Sequence, residues 1–192
     1  MTTIIPFSFK EAPSLIEKAW PTSKISEEVQ KERNAKAGQT LTGLGSYWKG
    51  RKPLILTRAC LIASLMPASD TAPGLARDVQ IFEKVMAFDE VAMRKRLPVK
   101  KHDLLSGTYR DQVLAAQRPE ELDEKKLLDG IWDDVNAHLG TDASSITELV
   151  EQLGIMRFGH RPKVADTFSG SGSIPFEAGR IGCDVYASDL NP

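Results

Sequence analysis

The chain has 192 residues, of which 41% are hydrophobic and 27% charged, with a formal net charge of −1. That length admits one domain of ordinary size, or a lead-in joined to part of a second unit. No secretory pattern opens the chain, and the longest apolar stretch, Pro53 to Pro67, is interrupted by Arg58 and is too short for a membrane span. The expectation is a cytoplasmic chain with no membrane role.

The charge is unevenly spread. Residues 1–110 hold 18 Lys and Arg against 11 Asp and Glu, and residues 111–192 hold 7 against 15. The N-terminal part is therefore the better suited to phosphates. Cys60 and Cys183 stand far apart in apolar surroundings without C-x-x-C spacing, which predicts reduced, buried thiols. His102, His138 and His160 show no metal-ligand spacing, so no metal site is expected.

In chain order, Ile25 to Ala37 carries helix formers with a stop at Gly38. The segment Tyr47, Trp48, Lys49, Gly50, Arg51, Lys52 interleaves two aromatics with three cations. Such a mixture can stack a base or grip a nucleic-acid backbone. It can equally bury Trp48 as an anchor while its lysines reach water. Pro53 is placed to open a helix, and Leu54, Ile55, Leu61, Ile62 and Leu65 make that helix apolar enough to be buried. From Ala76 to about Arg96, Val79, Phe82, Val85 and Met86 repeat at helical spacing, which predicts one helix with a core face. Arg94, Lys95, Arg96, Lys100 and Lys101 then form a basic run around Pro98. It suits phosphate contact, and it also suits the negative end of a helix dipole.

Pro119 to His138 is acidic, with leucines and Trp132 interspersed, and reads as solvated helix surface. Gly140-Thr141-Asp142 marks a candidate division. Ser145 is placed to cap a helix carrying Leu149, Val150 and Leu153 that ends near Gly154.

The last thirty residues carry the clearest pattern. Lys163-Val164-Ala165 predicts a strand, Asp166 to Ser173 a glycine loop, the residues after Ser173 a helix, and Cys183 to Ala187 a second strand followed by Asp189. Gly170 and Gly172 permit a sharp turn and close approach to a ligand, and the helix starting near Ser173 aims its first N–H groups at the same place. Asp189 stands 17 residues past Gly172. That is close to the spacing of about 20 at which an acid takes hydrogen bonds from ribose hydroxyls. The ligand expected is a nucleoside. Pro175 occupies the position of a third glycine, which argues against a dinucleotide, and no lysine follows Gly172 as a phosphate-binding P-loop would require.

The run Asp166-Thr167-Phe168-Ser169-Gly170-Ser171-Gly172-Ser173 resembles the D-P-F-x-G-x-G-[ST] motif of amino-methyltransferases that act on DNA, and Ala187-Ser188-Asp189-Leu190-Asn191-Pro192 extends the match. Glu17-Lys18-Ala19-Trp20-Pro21, Lys31-Glu32-Arg33, and Tyr47 to Leu54 are similar to the N-terminal region of the large adenine-specific DNA methylases. Some of that family contain zinc ribbons, and some are associated with phage defence. Where its members tend to show W-W-A-R-R-P-L, this chain has Tyr47-Trp48-Lys49-Gly50-Arg51-Lys52-Pro53-Leu54.

The resemblance implies an α/β chain: a mostly helical N-terminal region, residues 1–140, followed in 141–192 by the first β-α-β of a Rossmann-like methyltransferase sheet, incomplete. It implies S-adenosylmethionine as cofactor. Gly170, Gly172 and Ser173 would pass beneath it, Asp166 would face its amino-acid end, Phe168 would line the pocket and Asp189 would hold the ribose. DNA would be the partner, touched by Tyr47, Trp48, Lys49, Arg51 and Lys52. Methyl transfer to an exocyclic amine also needs acceptors for that amine and an aromatic to stack the extruded base, which this family supplies from a [DNS]-P-P-[YFW] loop. None of the eleven prolines here are adjacent. The expectation is an N-terminal part of a DNA methyltransferase, inactive by itself and completed by the remaining methyltransferase segment in the same gene product or another chain. The alternatives are a non-catalytic nucleic-acid-binding or assembly module and an inactive fragment.

Overall fold

The fold, taken from a computed structural model that describes residues 2–35 and 52–190, is mixed α/β, mostly helical, with a small parallel sheet. Ser14 opens the short helix α1 (Leu15–Lys18) through a reciprocal capping box with Glu17. Helix α2 (Thr22–Arg33) ends at Asn34, and its inward face is unusual: beside Ile25 it buries two carboxylates one turn apart, Glu28 and Glu32.

Both acids are satisfied by other elements. Glu32 accepts the backbone N–H groups of Leu54 (2.9 Å) and Ile55 (3.0 Å), which begin helix α3 (Leu54–Leu65) behind Pro53. A carboxylate on the positive end of a helix complements its unpaired donors and its dipole. Apart from Arg58, helix α3 is broadly apolar, as expected, and packs against α1, α2, helix α9 (Ile146–Phe158) and helix α10 (Ser173–Arg180).

The single helix expected from Ala76 to Arg96 is two. Helix α4 (Ala72–Val85) is capped by Thr71, and helix α5 (Glu90–Arg96) by Asp89. Between them Ala87 takes a left-handed backbone, φ 59°. The apolar stripe passes through the break because Met86, Ala87 and Phe88 are themselves core residues. The Asp89 cap is the local signal of a restart.

Most of the basic run belongs to the fold. Arg96 is fully buried and forms a bidentate pair with Glu28, both contacts at 2.7 Å, while the Tyr109 hydroxyl donates to the same carboxylate at 2.8 Å. Burial and Glu28 push the Tyr109 hydroxyl up, so it remains a donor. Lys95 donates to the carbonyls of Lys126, Leu127 and Asp129 at the end of helix α7 (Glu124–Leu127), and Arg94 lies beside Glu90. Lys100 and Lys101 stay exposed on a 3₁₀ stretch, Val99–Ser106, that leads to helix α6 (Tyr109–Ala115).

The acidic segment is a 3₁₀ turn, Pro119–Glu121, followed by α7 and by helix α8 (Trp132–Leu139). Its Asp134 is paired across to α4 with Arg77 and Lys84. Ser145 caps α9 (Ile146–Phe158) as expected, but the helix runs past Gly154 to Gly159. A Cβ on Gly154 would stand 2.3 Å from a ring carbon of Pro162. That glycine is a packing contact where α9 meets the chain leading into the sheet.

Strands β1 (Lys163–Asp166) and β2 (Asp184–Ala187) pair in parallel, Lys163 opposite Asp184 and Asp166 opposite Ala187, with α10 (Ser173–Arg180) crossing between them. On one face Val164 packs against the helical core, and Val185, 38% exposed, meets Gly179 of α10 there. The alternate residues Lys163, Ala165, Asp184 and Tyr186 are exposed. A contiguous core joins Ile25, Ile62, Phe82 and Leu149 to Ala178, Ile181 and Cys183, so it runs across Gly140. Cys183 is buried, whereas Cys60 is half-buried, and neither is in a disulfide. Among the described residues no helix is long and apolar enough to cross a membrane.

Candidate nucleoside site at the glycine loop

The loop after β1 is held by its own backbone. Asp166 Oδ1 accepts from the Phe168 N–H at 3.2 Å, and the Gly172 N–H donates to the Ser169 carbonyl at 2.8 Å. Gly170 (φ 50°) and Gly172 (φ 71°) both adopt left-handed conformations, which a side-chain-bearing residue takes only under strain. A Cβ at either would meet no atom of the described residues within 4 Å, so here the turn itself demands glycine.

Gly172 is the N-cap of α10, and the buried Ser173 is its first residue, with its hydroxyl 3.0 Å from that of Ser171. Pro175 has no N–H, so of the first three helix residues Ser173 and Ile174 carry the donors. The N-terminus is a weaker anion cradle than a full turn of amides.

The loop after β2 closes against it. Ser169 N donates to the Ser188 carbonyl and Ser188 N to the Asp166 carbonyl, each at 3.0 Å, extending the parallel pairing beyond the strands. Asp189 Oδ2 accepts from the Gly170 N–H at 2.6 Å. The acid expected after β2 is therefore brought to the glycine loop, across 19 residues of sequence.

Five of the expected cofactor residues, Asp166, Gly170, Gly172, Ser173 and Asp189, thus meet at the carboxyl ends of the two strands. The sixth, Phe168, projects from the same loop and is 76% exposed. Of the nucleic-acid cluster, Lys52 is exposed just before α3, while Tyr47, Trp48, Lys49 and Arg51 lie outside the described residues.

Beneath the loop lies a charged group that sequence reasoning passed over. Glu177 of α10 is fully buried and accepts from Arg58 Nε of α3 at 2.8 Å, and from Arg180 Nε and Nη2 at 2.7 Å each. Burial pushes its carboxyl up to about 7, against the pull of Arg58. The available signal was Arg58 itself, a charge inside an otherwise apolar helix. Glu177 carries no such mark, because its burial arises only when α10 docks on α3.

Other groups stand apart from the loop. Burial and the neighbouring Asp184 push the Cys183 thiol up to about 11, so it stays protonated and serves packing. No group of three or more His, Cys, Asp or Glu able to hold a metal ion occurs among the described residues. A cleft of about 570 Å³ that includes Phe9, Asp78, His138 and Met156 shares no residue with the glycine loop. Its buried Asp78 is already bonded to Ser69 N (2.6 Å) and His138 Nε2 (2.7 Å).

Residues 19–87 match a family described as "Protein of unknown function (DUF1156)". The match takes in α2, α3 and α4, including Glu28, Glu32 and Arg58, and stops well before the glycine loop. No curated protein and no solved structure matches the chain.

Proposed function

We propose that the glycine loop and the β-α-β unit form the S-adenosylmethionine site of a DNA adenine methyltransferase, with the helical region as its lead-in. The observation that carries this reading is the hydrogen bond between the Gly170 N–H and Asp189 Oδ2, which gathers a left-handed glycine turn, a helix N-terminus and an acid at the carboxyl ends of two parallel strands. Open α/β sheets bind nucleoside ligands at that place. On this reading Asp189 faces the ribose, Asp166 the amino-acid end, and Phe168 becomes covered by the cofactor.

Chemistry on a base requires more than a cofactor site. Acceptors for the amine and an aromatic to stack the flipped base come, on this reading, from a further methyltransferase segment whose strands extend this sheet. The uncovered residues Ala165 and Tyr186 support such an addition, since parallel sheets are ordinarily buried on both faces. The same surface favours a second reading, a non-catalytic nucleic-acid-binding or assembly module.

Calorimetry of S-adenosylmethionine against the 192-residue chain, with circular dichroism to verify folding, separates the two. Saturable binding that the Asp189→Ala variant weakens supports the methyltransferase reading. A folded chain that binds DNA but no S-adenosylmethionine supports the module.

A further inference from the structure

Helix α10 is fastened unevenly. Toward and just past its C-terminal end, Ala178, Ile181 and Cys183 join the hydrophobic core, whereas toward the glycine loop its buried residues are the polar Ser173 and Glu177. These two stand at i and i+4, so they share one face of the helix. The ties of the loop itself are at the surface, since Phe168 to Asp166 and Gly170 to Asp189 are both exposed bonds. Ser173 carries the buried face into the loop, its hydroxyl meeting that of Ser171 at 3.0 Å.

Glu177 is the charged anchor of that face. Its carboxylate accepts from Arg180, but Arg180 belongs to the same helix, so that pair balances charge without fastening α10 to anything else. The tether is Arg58, whose Nε reaches Glu177 at 2.8 Å from α3. Helix α3 is in turn packed by α1, α2 and α9, which makes Arg58 a fixed point for α10. Glu32 of α2 and Glu120 of the 3₁₀ turn also face Glu177. A buried carboxylate among like charges loses much when a guanidinium partner is removed.

The position of the loop matters because glycines bind a ligand by close backbone approach, and a misplacement of about 1 Å can cost a hundredfold in function. We propose that Arg58 is a positioning residue of the nucleoside site, acting through Glu177 to hold the start of α10 and with it the glycine loop. The nucleoside rests on the reading above, whereas the tether to the loop does not. Arg58 lies inside the span 19–87 that matches the family and the loop lies outside it, so the helical region contributes to the site.

The test compares wild type with Arg58→Met in the 192-residue chain at about pH 8, above the value of about 7 at which Glu177 titrates. Hydrogen exchange of the Ser169, Gly170, Gly172 and Phe176 amides, each hydrogen-bonded in the fold, should quicken about tenfold relative to amides of α4 and α8. In calorimetry the folded variant should bind S-adenosylmethionine about tenfold more weakly. Arg58→Lys, which returns a cation to Glu177, should recover most of both losses. An Arg58 that serves stability alone would quicken exchange evenly along the chain and leave the affinity of the folded protein unchanged, and either result would overturn the proposal. Failure of the wild-type chain to bind S-adenosylmethionine would sink the nucleoside reading, and the exchange comparison would still decide the tether. Arg58→Gln, which keeps a neutral donor near Glu177, serves the same comparison if the methionine variant does not fold.

Discussion

The helical body and the two loops of the β-α-β unit handle polar groups in opposite ways. In the body, charges are buried and joined across elements: Arg96 and Tyr109 converge on Glu28, and Glu32 caps α3. In the two loops of the β-α-β unit the polar atoms lie mostly at the surface, tied by a few exposed bonds such as Gly170 to Asp189, while Glu177 of its helix follows the body's pattern and is buried against Arg58. The contrast teaches where stability and adaptability reside. Removing one member of a buried pair strands the other in a medium that cannot solvate it, whereas a surface bond exchanges readily for water. Ligand-binding loops belong to the less stable part of a fold for this reason.

The sharpest way to break the contrast is at Arg96. Arg96→Ala leaves Glu28 buried without its cation and should destabilise the chain by about 3–5 kcal/mol, read by denaturant unfolding. A loss no larger than that of a surface substitution would show that Glu28 reaches water.

Glu177 should make stability depend on pH. In the fold its carboxyl titrates at about 7, against a value of 4.5 for an unperturbed glutamate. Between those values the folded state binds more protons than the unfolded state, so stability falls as pH rises across the window and levels off above it. At about 1.4 kcal/mol per pH unit the whole effect is at most about 3.5 kcal/mol. Unfolding midpoints of wild type and Glu177→Gln, measured between about pH 5 and pH 8, should differ in slope, the variant being flatter.

Gly154→Ala should cost about 1–3 kcal/mol, because the new methyl group meets the Pro162 ring. A thermal scan with no shift would place slack at that contact. Asp189→Ala, by contrast, should leave unfolding nearly unchanged while weakening S-adenosylmethionine binding by about 1–3 kcal/mol in calorimetry. The smallest effect belongs to Phe168→Ala. With 76% of its surface exposed, its loss should change stability by less than about 0.5 kcal/mol. A larger loss would mean that Phe168 packs against protein in solution.

Much of this architecture was legible in local signals. Pro53 before an apolar run, Ser145 before a helix, and the strand, glycine loop, helix and strand of 163–187 all stand where local chemistry puts them, since caps, turn glycines and periodicity act within a few residues. The misreadings share one cause. The break at Ala87 was hidden because the stripe around it stays apolar, and Gly154 looked like a stop because a packing glycine and a terminal glycine are alike in one dimension. The basic run around Pro98 left two readings open, and only the fold showed that Arg96 and Lys95 are bound to partners 68 and more than 30 residues away.

By itself the sequence determined the helical character of the body, the order of the β-α-β unit and the residues of its loop. Backbone conformation at glycine, proline and cap positions depends on nearest neighbours. Tertiary structure alone decided that Asp189 closes on Gly170, that Arg58 and Glu177 meet 119 residues apart in the interior, and that one sheet face stays uncovered. Burial sets the strength and the titration of a charge, and burial is a property of how elements pack rather than of any one of them.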